Sequence, residues 1–201
     1  MKRVLLLEGL LFLYVGILPA QDQSPARVLD RFLDHVKEAP AMKMDFLWNQ
    51  TVEGTMVLQG NLFVVHLDEF HVYCNGKEKW YYNEGIDQWE MVPHDKNSAD
   101  ILDNPGAFFL RLRDDFYLSP VSIQKEGQDN TSLWELTLVP HSTNSVFSYV
   151  IIQLETDGLQ PRFIRYGLSD GAEYTIQILT FKTLSAFPSA FFTPDVSSEM
   201  L

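Results

Sequence analysis

This sequence predicts a mainly β fold with a few short α-helices: one large, strongly twisted antiparallel sheet curled around its own helices. Three observations carry that reading. The stretch over residues 54–92 breaks into short aromatic and β-branched runs at Gly54, Gly60-Asn61, Asp68-Glu69, Asn75-Gly76 and Asn83-Glu84-Gly85, the punctuation of a meander. Asn75-Gly76 is the sharpest of these signals, because a type I′ turn needs two residues that tolerate positive φ. A second β-rich tract begins at Val121, with strands predicted over residues 133–139, 146–155, 159–167 and 173–184 and turn chemistry between them at Asp157-Gly158 and Asp170-Gly171. The third observation is helical: Val28, Leu29, Phe32, Leu33 and Val36 fall on one face of residues 25–37. The tally is about ten or eleven strands, a count at which a twisted open sheet curls.

Ser24-Pro25 opens the first helix, with a capping hydroxyl followed by proline at the first helical position, and Pro40 ends it. Residues 44–52 alternate as one strand, with Met44, Phe46, Trp48, Gln50 and Val52 on one side. After the meander, residues 93–104 are polar and irregular. Pro105 then begins a second helical candidate over residues 105–112, carrying Phe108, Phe109 and Leu112; at about two turns it needs tertiary contacts to persist. In the last long strand Tyr174, Ile176 and Ile178 share a side, and Phe191-Phe192 before Pro194 form a short final strand or an apolar peg.

The chain has 201 residues, 46% of them hydrophobic, with no linker and no fixed-period repeat, so one domain with one core is expected. Lys2-Arg3, a mostly apolar run over residues 4–18 and Pro19-Ala20 have the layout of a secretory signal peptide, with Glu8 as its blemish. That run is short for a membrane span, which takes roughly 20 residues. Residues 1–20 are expected to be cleaved, leaving residues 21–201 as the mature domain. Loss of Lys2, Arg3 and Glu8 moves the net charge from −12 to −13. So acidic a balance argues against nucleic acid and against lasting attachment to anionic lipid, and suits a protein that must stay dispersed; a monomer is expected. The one cysteine, Cys74, permits no internal disulfide; a buried structural thiol at a strand end is expected.

No Gly-x-Ser-x-Gly elbow, phosphate loop, zinc-protease motif or dinucleotide fingerprint occurs. His66, Asp68, Glu69 and His71 flank one turn, but a zinc site takes three or four convergent ligands, which strands on either side of a turn need not supply. Neither catalysis, a metal nor a cofactor is expected.

Several short motifs stand in order along the chain: the amphipathic helix, the alternating strand, a Gly-led strand over residues 54–58, and Asn61-Leu62-Phe63. Asn75-Gly76-Lys77 with Trp80-Tyr81-Tyr82-Asn83 follows, then Leu-Thr-Leu-Val-Pro at residues 136–140, Asp157-Gly158 and Phe192-Thr193-Pro194. This ordered set resembles the LolA family of periplasmic outer-membrane lipoprotein carriers over essentially the whole mature chain, and is similar to its divergent, Bacteroidetes-like members. One departure matters. The family's Arg-Pro before Asn-Leu-Phe, whose Arg is thought to hold a lid shut, is missing; Gly60 precedes Asn61 directly.

The resemblance implies an open half-barrel with helices over its concave face, enclosing an apolar cavity for acyl chains. It implies a non-enzymatic periplasmic chaperone whose partners are acylated lipoproteins, an inner-membrane ATP-driven extractor that supplies them and a possible outer-membrane acceptor. The alternative is an exported binding protein for a different lipid or amphiphile on the same scaffold. For the lining, a two-residue turn at Asn75-Gly76 would pair Cys74 with Lys77, Tyr73 with Glu78 and His71 with Trp80. Lysines belong in water, so Lys77 and Lys79 are placed outward and Trp80 and Tyr82 inward, with Trp89 and Met91 following on the next strand. Phe63 comes from the matched step, and Met56, Phe46 and Trp48 lie beside it. These are the candidate acyl-chain-binding residues; an ordinary core beneath the helices would use the same side chains.

Overall fold

The computed structural model describes residues 24–98, 101, 103–127 and 131–196; the expected signal peptide lies outside them. Two meanders make one sheet. The first is β1 (Ala41–Trp48), β2 (Val52–Gln59), β3 (Leu62–Leu67), β4 (Phe70–Cys74), β5 (Glu78–Asn83) and β6 (Gln88–Pro93). The second is β7 (Phe116–Leu118), β8 (Ile123–Glu126), β9 (Ser132–Pro140), β10 (Phe147–Glu155), β11 (Pro161–Leu168) and β12 (Glu173–Leu184). β1 pairs with β12, which joins the halves into a twelve-stranded sheet ordered β6-β5-β4-β3-β2-β1-β12-β11-β10-β9-β7, with β8 also paired to β9. All pairings are antiparallel and the sheet stays open, with β6 at one edge and the β7 and β8 pieces at the other. The sequence reading of a single open sheet with helices holds; the extra strand, β7, is three residues long and carries too little pattern to be seen.

The helices α1 (Pro25–Glu38) and α2 (Pro105–Asp115) share one apolar core with one face of the sheet. The predicted stripe of α1 is buried at every position. Ser24 departs from expectation, for its hydroxyl makes no capping bond. α2 runs a turn further than residues 105–112, capped by Asn104, whose side-chain oxygen accepts from the Ala107 amide at 3.3 Å. Its position follows from topology. β6 ends at one edge of the sheet and β7 begins at the other, so the chain must cross the covered face between them, and α2 is that crossing.

Residues 44–52 are not one strand. Asn49 and Gln50 take φ of 47° and 66° and turn the chain, so β1 ends at Trp48 and Val52 pairs back against it. Asparagine tolerates the left-handed region, and the Asn49 side chain fixes the turn by accepting from the Thr175 amide at 3.0 Å. The alternation of Met44, Phe46 and Trp48 holds, and its continuation through Gln50 is coincidence. The Asn75-Gly76 turn is also longer than predicted. The Asn75 side-chain oxygen accepts from the amides of Lys77 and Glu78 at 2.9 and 3.0 Å, so Cys74 pairs with Lys79, Tyr73 with Trp80 and His71 with Tyr82. Gly76 sits at φ 84°, as such a turn requires. Each partner moves by two residues, an even slip, which leaves every side chain on the face it shared before. Phe192 is the apolar peg, fully buried against Val57 and Val64.

Candidate site: the helix-covered face and its strap

The covered layer is built from alternate residues of each strand. Met44, Phe46, Met56, Leu58, Phe63, Val65 and Cys74 point to the helices and meet Phe32, Phe109 and Leu112 from above. Among the predicted lining residues, Phe46, Met56 and Phe63 lie in this layer at 1%, 4% and 0% exposure. Trp48 is half-buried at its border, its ring 5.3 Å from Tyr174 and 6.2 Å from Tyr166. Ile164, Ile176 and Ile178 continue the layer across β11 and β12. Burial pushes the Cys74 thiol up, consistent with a structural, unreactive role.

Trp80, Tyr82, Trp89 and Met91 do not belong to this layer. Trp80 pairs with Tyr73 and Met91, and Tyr82 with His71 and Trp89, in rows that run across the opposite face of the sheet. The reason is Lys79. Expected in water, it points instead under the helices at 2% exposure, where its ammonium is paired with the Asp103 carboxylate. Tyr81, on the same face, donates to that carboxylate at 2.9 Å. Asp103 comes from the loop before α2, so no local pattern around Lys79 announces its partner.

That ion pair is one of several polar ties on α2. The Asn104 side chain also donates to the Lys96 carbonyl at 3.1 Å. Arg113 reaches Asp30 and Asp34 of α1 at 3.0 and 3.2 Å, while Phe109 packs edge-on to Phe32 at 6.3 Å. At its N-terminal end α2 rests on the β2–β3 turn so closely that a Cβ on Gly106 would stand 2.4 Å from the Gly60 carbonyl oxygen. Only glycine allows that approach. Gly60 directly precedes Asn61, and here the turn supports α2 through bare backbone. Beside the C-terminal half of α2 a cleft of about 320 Å³ opens, its wall including Phe108, Phe116 and Phe147 of the covered core beside Arg111, Asp115 and His141.

His94 opens the segment between β6 and α2, 9% exposed, with its ring 6.0 Å from Phe63 and neither ring nitrogen hydrogen-bonded. Burial holds it below the ordinary histidine range, and Lys79 and Lys96 add repulsion. His66 and His71 do come together, ring centroids 4.5 Å apart, but Asp68 and Glu69 do not complete a site with them. Among the described residues no group of three or more His, Cys, Asp or Glu side chains could hold a metal ion, and no helix is long and apolar enough to cross a membrane.

Sequence reasoning places Lys79 on the wrong face and misses Asp103, Gly106 and Arg113, the residues that tie α2 and the loop before it to the rest of the fold. Asn104-Pro105 is their one legible signal, as a cap followed by a first-turn proline.

No family model matches this chain, and no curated protein matches it in sequence. Solved structures do. An uncharacterized conserved protein from Thermus thermophilus superposes with a TM-score of 0.55 at 14% identity, over 88% of this chain and 96% of the other. A putative outer membrane lipoprotein-sorting protein domain from Vibrio parahaemolyticus gives 0.45 at 9% identity, over 85% and 97%. A LolA superfamily protein from Nitrosomonas europaea gives 0.43 at 11%, over 86% and 98%. The Thermus protein shares this fold along nearly its whole length; the other two are likenesses in outline only.

Proposed function

We propose that this protein is a periplasmic carrier that holds the acyl chains of lipoproteins between its sheet and its helices and takes them from the inner to the outer membrane. One observation carries the reading: α2 is a strap laid across an open sheet, apolar beneath and tied by polar groups near both its ends. Such a construction hides an apolar layer when empty and exposes it when the strap rises. The sequence motifs that resemble the LolA family support the same reading. Phe46, Met56 and Phe63, with Trp48 at the border, are the proposed lining.

The energetics require a carrier with these properties. Each buried CH₂ is worth roughly 0.8 kcal/mol, so bringing one 16-carbon chain into water costs on the order of 10 kcal/mol. An acyl chain that displaces Phe108, Phe109 and Leu112 from the sheet replaces contacts already present, so its net affinity is the difference between the two packings. That difference keeps affinity low enough for release. An ATP-driven extractor at the inner membrane and an acceptor at the outer membrane are the partners this reading calls for.

The test is expression of the full chain in a Gram-negative periplasm, mild purification and mass spectrometry of what accompanies it. Acylated peptides are expected, and Met56→Glu should abolish their recovery. Recovery of free lipid without acylated protein would transfer the reading to a carrier for another amphiphile. Recovery of neither would sink it.

A further inference from the structure

The face of β3–β6 turned away from the helices is not a plain solvated surface. His66, His71, Tyr82 and Trp89 stand in one row across four strands, with centroids 4.5 Å apart for His66–His71, 5.7 Å for His71–Tyr82 and 4.5 Å for Tyr82–Trp89. The last two contacts are stacked. The row ends at β6, the edge of the sheet. The two edges differ. The far one is divided into strands of three and four residues, which blunts it, whereas β6 runs six residues with no strand beyond it among the described residues. Met91 on β6 and Ile86 in the turn before it are exposed at 45% and 61%.

Charge decides what such a surface takes. Between Trp48 and Glu90 the chain carries seven carboxylates and only two lysines. Lys79 is committed to Asp103 on the opposite face, and Lys77 belongs to the turn at the other end of the strands. Glu84 and Asp87 lie beside the row itself, within 3.4 Å of the His71 ring nitrogen and 3.1 Å of the Tyr82 hydroxyl.

We propose that β6 and the aromatic row beside it dock a basic polypeptide segment, bound in extended form as an added strand. The unpaired N–H and C=O groups of β6 would supply the ladder, and alternate side chains of the segment would fall on the Trp89–Met91 side. A lysine or arginine opposite Trp89 lays its stem along the indole and brings its charge over the Tyr82–Trp89 stack toward Asp87 and Glu84. This surface lies on the face opposite the proposed acyl layer, so it stands or falls independently of cargo binding.

The probe is an eight-residue peptide alternating lysine and valine, titrated into the full-length mature protein by calorimetry, with a glutamate–valine peptide as control. Saturable binding of the lysine peptide alone is expected, weakening with salt. Trp89→Ala should reduce its affinity roughly tenfold, the scale of one desolvated cation–π contact, while Trp89→Phe should stay within about threefold because it keeps a ring. Glu84→Gln with Asp87→Asn should flatten the salt dependence without unfolding the protein. Equal binding to wild type and Trp89→Ala would mean general attraction to an acidic protein and overturn the proposal. So would no binding of the lysine peptide, or a dimer in solution that Trp89→Ala dissolves, which would assign the face to a second copy of this chain.

Discussion

The two faces of β2–β6 are made from the same alternating strands and have opposite constructions. Beneath the helices, Met56, Leu58, Phe63, Val65 and Cys74 are 5% exposed or less and form a close-packed layer that ends in the buried Lys79–Asp103 pair. On the other side, His66, His71, Tyr82 and Trp89 form a half-exposed aromatic row beside carboxylates. Aromatic content therefore does not mark the covered face of this sheet. Its aliphatic, methionine and phenylalanine rows do, together with one buried cation whose partner comes from twenty-odd residues away.

The sharpest way to break that contrast is to remove a large side chain from the covered face. Phe63→Ala should cost about 3 to 5 kcal/mol by loss of burial and the cavity left behind, read by urea denaturation. Next comes Asp103→Ala, which leaves Lys79 buried and unpaired. A loss of roughly 2 to 4 kcal/mol is expected, toward the lower end because Asp103 is itself partly exposed. Lys79→Met combined with Asp103→Ala should recover most of that loss, since an apolar replacement of a buried pair is often close to neutral. If the double variant were as unstable as the single one, Asp103 would be acting through its backbone and not through charge.

A smaller effect should appear with pH. His94 binds its proton less readily folded than unfolded, so its contribution to stability is complete above the ordinary histidine value near 6.5 and is lost as pH falls below it. The melting temperature should drop between about pH 7 and pH 5, and His94→Phe should flatten part of that drop. His66, also lowered by burial, accounts for some of what remains. Least of all, Trp89→Ala on the opposite face should cost only about 1 kcal/mol, the worth of one stacked aromatic pair. A loss as large as that of Phe63→Ala would mean that the Trp89 row is packed as closely as the layer beneath the helices.

How far the sequence foretells this is clearest at individual residues. Turn chemistry at Gly60-Asn61, Asp68-Glu69 and Asp157-Gly158 is readable because each turn is decided by its own residues, and so the order of strands follows. The α1 stripe is readable for the same local reason. The Asn75 turn is visible in sequence but its length is not, since that depends on which amides the Asn75 side chain accepts. What lies beyond reach is the side of the sheet. Period-two alternation sorts Lys79 from Trp80 but leaves open which of them is covered. The deciding partner, Asp103, belongs to a loop with no pattern of its own. Phe63, taken from the Asn-Leu-Phe motif, and Met56 and Phe46 beside it fall on the covered face, whereas Trp80, Tyr82, Trp89 and Met91 fall on the other because the rule that lysines belong in water fails at Lys79.

The two ends of α2 are attached with unequal slack. At its C-terminal end Asp115 passes straight into Phe116 of β7, with no linker residue between helix and strand. At the other end residues 94–104 separate it from β6, a length that stretched out would reach more than 30 Å at about 3.3 Å per residue. The chain therefore tethers α2 directly on the β7 side, whereas on the β6 side side-chain and backbone contacts hold it: Lys79 with Asp103, and Gly106 against Gly60. Those two contacts would have to part before the β6 side of the covered layer could be exposed.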